Sequence, residues 1–261
     1  LSMGLFLPVV DKMASFVLGI EPSPPDNRDW RIEDKLTRSE IPSTFLCGPL
    51  EDVRNQGSQG SCAAQVAACM KEFQENKDYG FIGHMSPQFI YNQRSDTSIS
   101  GMYSRDIMRL LSKVGIVPEE KYTYGSTHEI TEDLMELAAN HRIRGYARID
   151  KIDELKQALF QNGPCLIAFP VYNKSGTEPM WKGKGRPQGG HAMTVVGYDA
   201  NGFKIRNSWG SKWGDSGYCI YPYEDWGSHW EIWSTVDGES AAPPNPPKPP
   251  EGQTKCPCVV C

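Results

Sequence analysis

The spacing of apolar and polar positions divides the chain into two halves of different character. From Cys62 to about Asn76, CAAQVAACMKEFQEN carries apolar residues at helical spacing behind a glycine-broken loop. Ser86-Pro87 reads as a helix cap with proline at the first helical position, opening PQFIYNQRS. SRDIMRLLSKV (104–114) repeats the helical pattern and stops at Gly115. TEDLMELAANH (131–141) and DKIDELKQALFQN (150–162) predict two further amphipathic helices, the second ending at Gly163. Beyond that glycine the runs become β-type: CLIAFPVY, HAMTVVGYD, FKIRNSW, GYCIYPY and HWEIWSTV, with Asn201-Gly202 marking a hairpin between the second and third. A helical first half and a strand-rich second half predict an α+β fold of two lobes, with a cleft between them as the natural place for a site.

The two ends differ from this body. Residues 1–28 form an N-terminal extension or propeptide remnant whose apolar opening is broken by Asp11 and Lys12. Its uninterrupted apolar runs are too short to cross a bilayer, and an amphipathic segment docked on the body is the favoured reading over a membrane role. The body spans 29–236. After Val236, GESAAPPNPPKPPEGQTK reads as a stiff Pro-rich linker that leads to CPCVVC, so 237–261 form a linker and a cysteine-containing tail. Lipidation, disulfide formation and docking to a partner all remain open for Cys256, Cys258 and Cys261. The five other cysteines are sparse and irregular, and Cys165 and Cys219 read as buried free thiols in strands. With 261 residues, 39% of them hydrophobic, the chain is long enough for a substantial core. A net charge of −5 without a basic block argues against nucleic acid as a partner. The compartment stays open.

The chemistry gathers around NQGSQGSCAAQ (55–65). A lone Cys62 at the start of a helix gains thiolate character from unsatisfied amides and from any protonated imidazole nearby. Gln56, an ordinary polar loop residue when taken alone, offers a side-chain amide that with the Cys62 N–H could form an oxyanion hole. Of five histidines, His191 stands out: two glycines leave space beside its ring and a buried-type strand follows. Asn207 lies across the hairpin, where its amide oxygen would set the imidazole tautomer, and Trp209 would shield that bond from water. His84, His128, His141 and His229 read as surface or core residues, and the acidic residues of the helices as solvated faces.

In this order, Gln–Cys–His–Asn, the residues resemble the papain family of cysteine proteases, which includes the cathepsins. His191 and Asn207 follow Cys62 by 129 and 145 residues, within the family's spacing of ~130–150. NSWGSKWGDSGY (207–218) is similar almost letter for letter to the family signature around its asparagine, and GGHA (189–192) to cathepsin B-like members. DWR and IPSTFLCGPLEDVRNQGSQGSC resemble the start of the family's mature domain, and the likeness runs from about Asp29 to Val236. Gln59 stands where the family usually has a cysteine, RSDTSISGMYSRD lacks that cysteine's partner, and Ala63 replaces an aromatic residue. In these respects the chain resembles disulfide-poor bacterial and viral members. The 28 residues before Asp29 are too few for the family's long inhibitory propeptide.

The resemblance implies a two-lobe fold, with a helical left lobe, an antiparallel β-barrel-like right lobe and the cleft between them. It implies a thiol endopeptidase acting on peptide or protein through an acyl-enzyme, needing no metal or organic cofactor. Cys62, His191, Asn207 and Gln56 become the catalytic set. Gly101 takes the place where the family pairs substrate backbone, and Met102, Gly190, Ala192 and Trp209 become substrate-binding candidates. Two alternatives stay open. The same site could serve a transpeptidase or exopeptidase, or the chain could be a protease-like scaffold whose cleft is plugged by residues 1–28.

Overall fold

The computed structural model of the chain describes residues 17–34, 36, 39–173 and 178–236. The tail cysteines and the first sixteen residues lie outside them. In chain order the elements are β1 (Ile20–Glu21), a 3₁₀ turn (Ile32–Asp34), β2 (Phe45–Leu46), α1 (Cys62–Tyr79), α2 (Pro87–Tyr91) and β3 (Met102–Tyr103). They continue with α3 (Ser104–Lys113), α4 (Glu132–Ala139), β4 (Gly145–Arg148), α5 (Ile152–Asn162), β5 (Cys165–Val171) and β6 (Gly189–Tyr198). The last are β7 (Gly202–Arg206), β8 (Tyr218–Pro222), a second 3₁₀ turn (Tyr223–Asp225) and β9 (Glu231–Val236).

The expected helices and the five long strands are all present, with the helix-then-strand order intact. Local chemistry explains their ends. Gly80, at φ 68°, turns the chain off α1 in the left-handed conformation. The Ser86 hydroxyl accepts the Phe89 N–H at 3.1 Å, capping α2 ahead of Pro87. At the hairpin, Asp199 N–H bonds Gly202 O at 3.0 Å and its carboxylate takes the Asn201 N–H at 2.7 Å.

Seven of the strands form one antiparallel sheet in the order β4-β9-β5-β6-β7-β8, with β2 added along β6. Among the described residues β4 and β8 end the path without pairing to each other, so the right lobe is an open sheet and not a closed barrel. Period-two alternation gives the sheet two apolar faces. Cys165, Ile167, Phe169 and Val171 pack with Met193, Val195 and Ile232 in one core. Leu166 and Ala168 face the other way, joining Ala192 and Trp233 with α1, α2 and α3 of the helical lobe. Each Val, Leu, Ile, Phe or Met among them stabilises the fold by about 1.5–3 kcal/mol when fully buried.

Helix α1 lies at the junction, against β5 and β6 on one side and α2 and α3 on the other. The expectation that helical acids form solvated faces fails here. Lys71, Glu72, Gln74 and Glu75 are all buried. They survive burial by pairing: Lys71 meets Glu75 at 2.8 Å, and Arg54 and His84 both reach Glu72. A helix packed on two sides leaves too little free circumference for a solvated stripe.

Candidate active site

Cys62 opens the first turn of α1 and is fully buried. Its sulfur accepts the Ala192 N–H at 3.4 Å, which fixes it beside β6 at the station next to His191. The sulfur of the helical lobe is therefore held on the sheet strand that carries the candidate imidazole, at the residue after it. Asn207 follows the last residue of β7 and its Oδ1 lies 2.7 Å from His191 Nε2. An amide oxygen only accepts, so Nε2 carries the proton and Nδ1 is the basic nitrogen. The Trp209 indole stacks on the imidazole at 4.3 Å between centroids, and Trp213 meets Trp209 edge-on. Trp209, a substrate-binding candidate by resemblance, thus covers the His191 ring.

Ser208 lies inside NSWGSKWGDSGY but was given no role there, yet it joins the two halves of the site. Its N–H donates to Asn207 Oδ1 at 2.7 Å and its hydroxyl to Gln56 Oε1 at 2.8 Å. Its carbonyl accepts the Gln56 N–H at 2.8 Å. With Oε1 fixed in this way, the Gln56 amide nitrogen is the end left to reach outward. It donates to Gln59 O at 2.9 Å and to Val17 O at 3.1 Å.

That second acceptor belongs to the N-terminal extension. Residues 17–24 form a strap across the cleft. The Gly19 N–H donates to Gly190 O at 3.1 Å, and Gly19 O accepts the Met102 N–H at 3.0 Å. Strand β1 then runs parallel to β3, pairing Ile20 with Met102 and Glu21 with Tyr103. The Ile20 side chain is 1% exposed and shares a core with Met102, Ala168, Ala192 and Trp230. Gly101, Met102, Gly190 and Ala192 are thus brought together around the strap. At its far end the Ser23 N–H and hydroxyl both donate to the buried Glu231 carboxylate, at 3.1 and 3.0 Å. The fit is closest at Gly19: a Cβ there would lie 2.0 Å from Gly60 O. One on Gly101 would lie 2.7 Å from Gly19 C, and one on Gly190 2.4 Å from Ile20 O. Three glycines of the cleft and one of the strap allow backbone to pass against backbone.

Burial sets the state of the thiol in this form. Burial pushes the Cys62 thiol up to about 11, outweighing the N–H groups of Ala192, Gly19, Ala63 and Cys62 itself that favour the thiolate. A raised thiol pKa favours the neutral form at every pH below it. In this closed form, thiolate absorbance taken as the difference from a Cys62→Ala variant should stay flat at neutral pH and rise only above about pH 9. A Cys62 thiolate already present at pH 7 in the closed chain would contradict the burial argument. Cys165 and Cys219 are free thiols as expected, the first buried and the second half-buried, and burial raises both to about 12. The other histidines stand apart from the site: His84 and His141 pair with Glu72 and Glu75, and burial lowers His229 to about 4 beside Tyr221.

Comparison with known proteins places the chain in a family and a fold. The profile of the papain family cysteine proteases matches residues 42–230. A peptidase C1-like protein of Acanthamoeba polyphaga mimivirus is 32% identical over 198 residues, covering 65% of this chain and 64% of that protein. Mouse (Mus musculus) cathepsin K is 31% identical over 189 residues, covering 66% and 56%. The chain spans 60–64% of the length of the first three curated relatives it matches. Among solved structures, xylellain, a cysteine protease from Xylella fastidiosa, superposes with a TM-score of 0.73 at 27% identity, covering 85% of this chain and 96% of that one. A Carica candamarcensis cysteine protease in complex with E-64 shares the fold with a TM-score of 0.62 at 20% identity, covering 76% and 99%.

Proposed function

The chain belongs to the papain family of cysteine proteases, and from that premise we propose that it is a cysteine-type endopeptidase held latent by its own residues 17–24. One observation carries the reading: Cys62 Sγ sits on the Ala192 N–H, beside a His191 ring whose Nε2 is fixed by Asn207. Once the strap leaves, the sulfur loses its burial while the Ala192 and Ala63 amides remain, so the thiolate becomes favoured. A proton moved from sulfur to His191 Nδ1 gives the thiolate–imidazolium pair. The thiolate attacks the substrate carbonyl. Its oxygen takes over the Gln56 amide that now holds Val17 O, together with the Cys62 N–H. His191 gives its proton to the leaving amine, and then takes one from the water that hydrolyses the thioester. Asn207 keeps the ring in register throughout. The apolar space filled by Ile20 receives an aliphatic side chain of the peptide.

A covered cleft also fits a scaffold that has lost its chemistry. The retained Gln56–Ser208–Asn207–His191 chain favours the latent enzyme, since a scaffold has no use for an aimed amide. An irreversible thiol-directed epoxide separates the two. Stoichiometric labelling at Cys62, located by peptide mass spectrometry, is the expected result; absence of labelling even after the strap is loosened supports the scaffold.

Gln56→Ala should lower kcat by about 10²–10³-fold with little change in KM, because the lost donor acts where charge develops. A rise in KM at constant kcat would instead mean that Gln56 serves substrate binding.

A further inference from the structure

Tyr124 stands in the loop between α3 and α4, yet its hydroxyl reaches both ends of the stretch that leads from Gln56 to Cys62. It lies 2.8 Å from Gln56 O and 2.7 Å from Ser61 Oγ. A carbonyl oxygen only accepts, so the phenol proton goes to Gln56 and the Ser61 hydroxyl donates to the phenol oxygen. Burial raises the phenol above its ordinary range, so it keeps that proton at neutral pH. The Gly125 N–H holds the loop by donating to Gln88 Oε1 at 2.9 Å. Ser61 is the residue before α1, where a serine ordinarily accepts an N–H of the first turn. Ser86 does so at α2, with ψ 104°. Ser61, at ψ 16°, makes no such bond. Its hydroxyl is turned to Tyr124 instead, and the amides of Cys62 and Ala63 remain for the sulfur and for an oxyanion.

We propose, resting on the peptidase reading of this site, that Tyr124 is a positioning residue of the oxyanion hole: its one hydroxyl holds the Gln56 main chain and keeps the Ser61 hydroxyl off the first turn of α1. Gln56 is fixed from the sheet lobe by Ser208, through its N–H and its Oε1. Tyr124 supplies the hold from the helical lobe, on the main-chain oxygen. A donor amide fixed from two sides needs no reorganisation as charge develops on the substrate. Without the phenol, Ser61 regains its ordinary capping option. A hydroxyl bonded to a first-turn amide then competes with the thiolate for that N–H.

Tyr124→Phe, which keeps the ring, is measured in a chain opened by Gly19→Val. On the pH plateau kcat should fall about 2- to 12-fold, the worth of one hydrogen bond, with KM unchanged. In a Gln56→Ala background the same substitution should cost nothing further, because Tyr124 acts through Gln56. A second cycle reads the thiol alone, by thiolate absorbance against a Cys62→Ala control. Tyr124→Phe should raise the midpoint of the Cys62 titration by about 0.2–0.7 pH unit, and should leave it in place in a Ser61→Ala background, where no hydroxyl remains to turn. Thermal melts of each variant separate a lost hydroxyl from a lost fold, and both cycles read coupling rather than raw loss. An unchanged kcat, a loss that appears in KM, or one that multiplies in Gln56→Ala overturns the hold on Gln56. A midpoint that stays in place, or that moves equally without the Ser61 hydroxyl, overturns the hold on Ser61. A Gly19→Val parent that labels rapidly with the epoxide but hydrolyses no peptide would defeat the peptidase reading instead, and the titration cycle would still report on Tyr124.

Discussion

Cys62→Ala should abolish peptide hydrolysis, by about four orders of magnitude or more in kcat/KM, while leaving the fold and the strap in place. The expectation rests on position as well as residue type. The sulfur is held by the Ala192 N–H at 3.4 Å, one residue beyond His191, and the other four described cysteines lie outside this contact. His191→Ala should cost a similar amount, and the double variant little more than either alone, because nucleophile and base act as one unit. Activity against a peptide library, measured on a chain with its strap loosened, tests this. Hydrolysis retained in Cys62→Ala would move the nucleophile elsewhere and end the proposed mechanism.

Gly19→Val is expected to do the reverse and open the cleft. A Cβ at this position would meet Gly60 O at 2.0 Å, and that oxygen is backbone with no rotamer to change. Gly60 in turn is pressed by Ser100 O, which a Cβ on Gly60 would approach to 2.2 Å, so the floor has no room to yield. Overpacking of this kind costs roughly 1–3 kcal/mol, and tenfold in population corresponds to about 1.4 kcal/mol. Epoxide labelling of Cys62 should therefore speed up by roughly 5- to 150-fold. Ile20→Asp should act in the same direction, by unseating the side chain that fills the apolar pocket. A Gly19→Val chain labelled no faster than the parent would mean that the strap does not limit access.

The site was legible wherever chemistry constrains both residue type and order. Gln56, Cys62, His191 and Asn207 each need a particular functional group, and NSWGSKWGDSGY keeps its aromatic shield beside the asparagine. The long elements were legible for a different reason, since their burial imposes a period of two or 3.6 over many residues. What could not be read had neither property. Strand β4, GYAR, pairs with β9 through a short run containing glycine and arginine. Ser208 gained its role from tertiary neighbours alone: Gln56 lies 152 residues away. Glu72 and Glu75 looked solvated because nothing local shows that α1 is packed on two sides. The strap engages the cleft through backbone groups at Val17 and Gly19, and main-chain hydrogen bonds leave no trace in side-chain pattern. Plugging by the extension could be conceived from the sequence, but the residues that do it could not be named.

The Gln56 amide that grips Val17 O is the donor proposed for an incoming peptide carbonyl, and Ile20 fills the space proposed for its side chain. On the proposed mechanism the extension is a tethered competitor of the peptide substrate. An apparent affinity is the intrinsic one divided by the open fraction, so a chain open about 1% of the time would bind a peptide about 100-fold more weakly than its pocket allows. Michaelis constants and inhibitor potencies taken on this chain thus combine pocket and tether. Two homologues with identical pockets would rank differently if their extensions held with different strength.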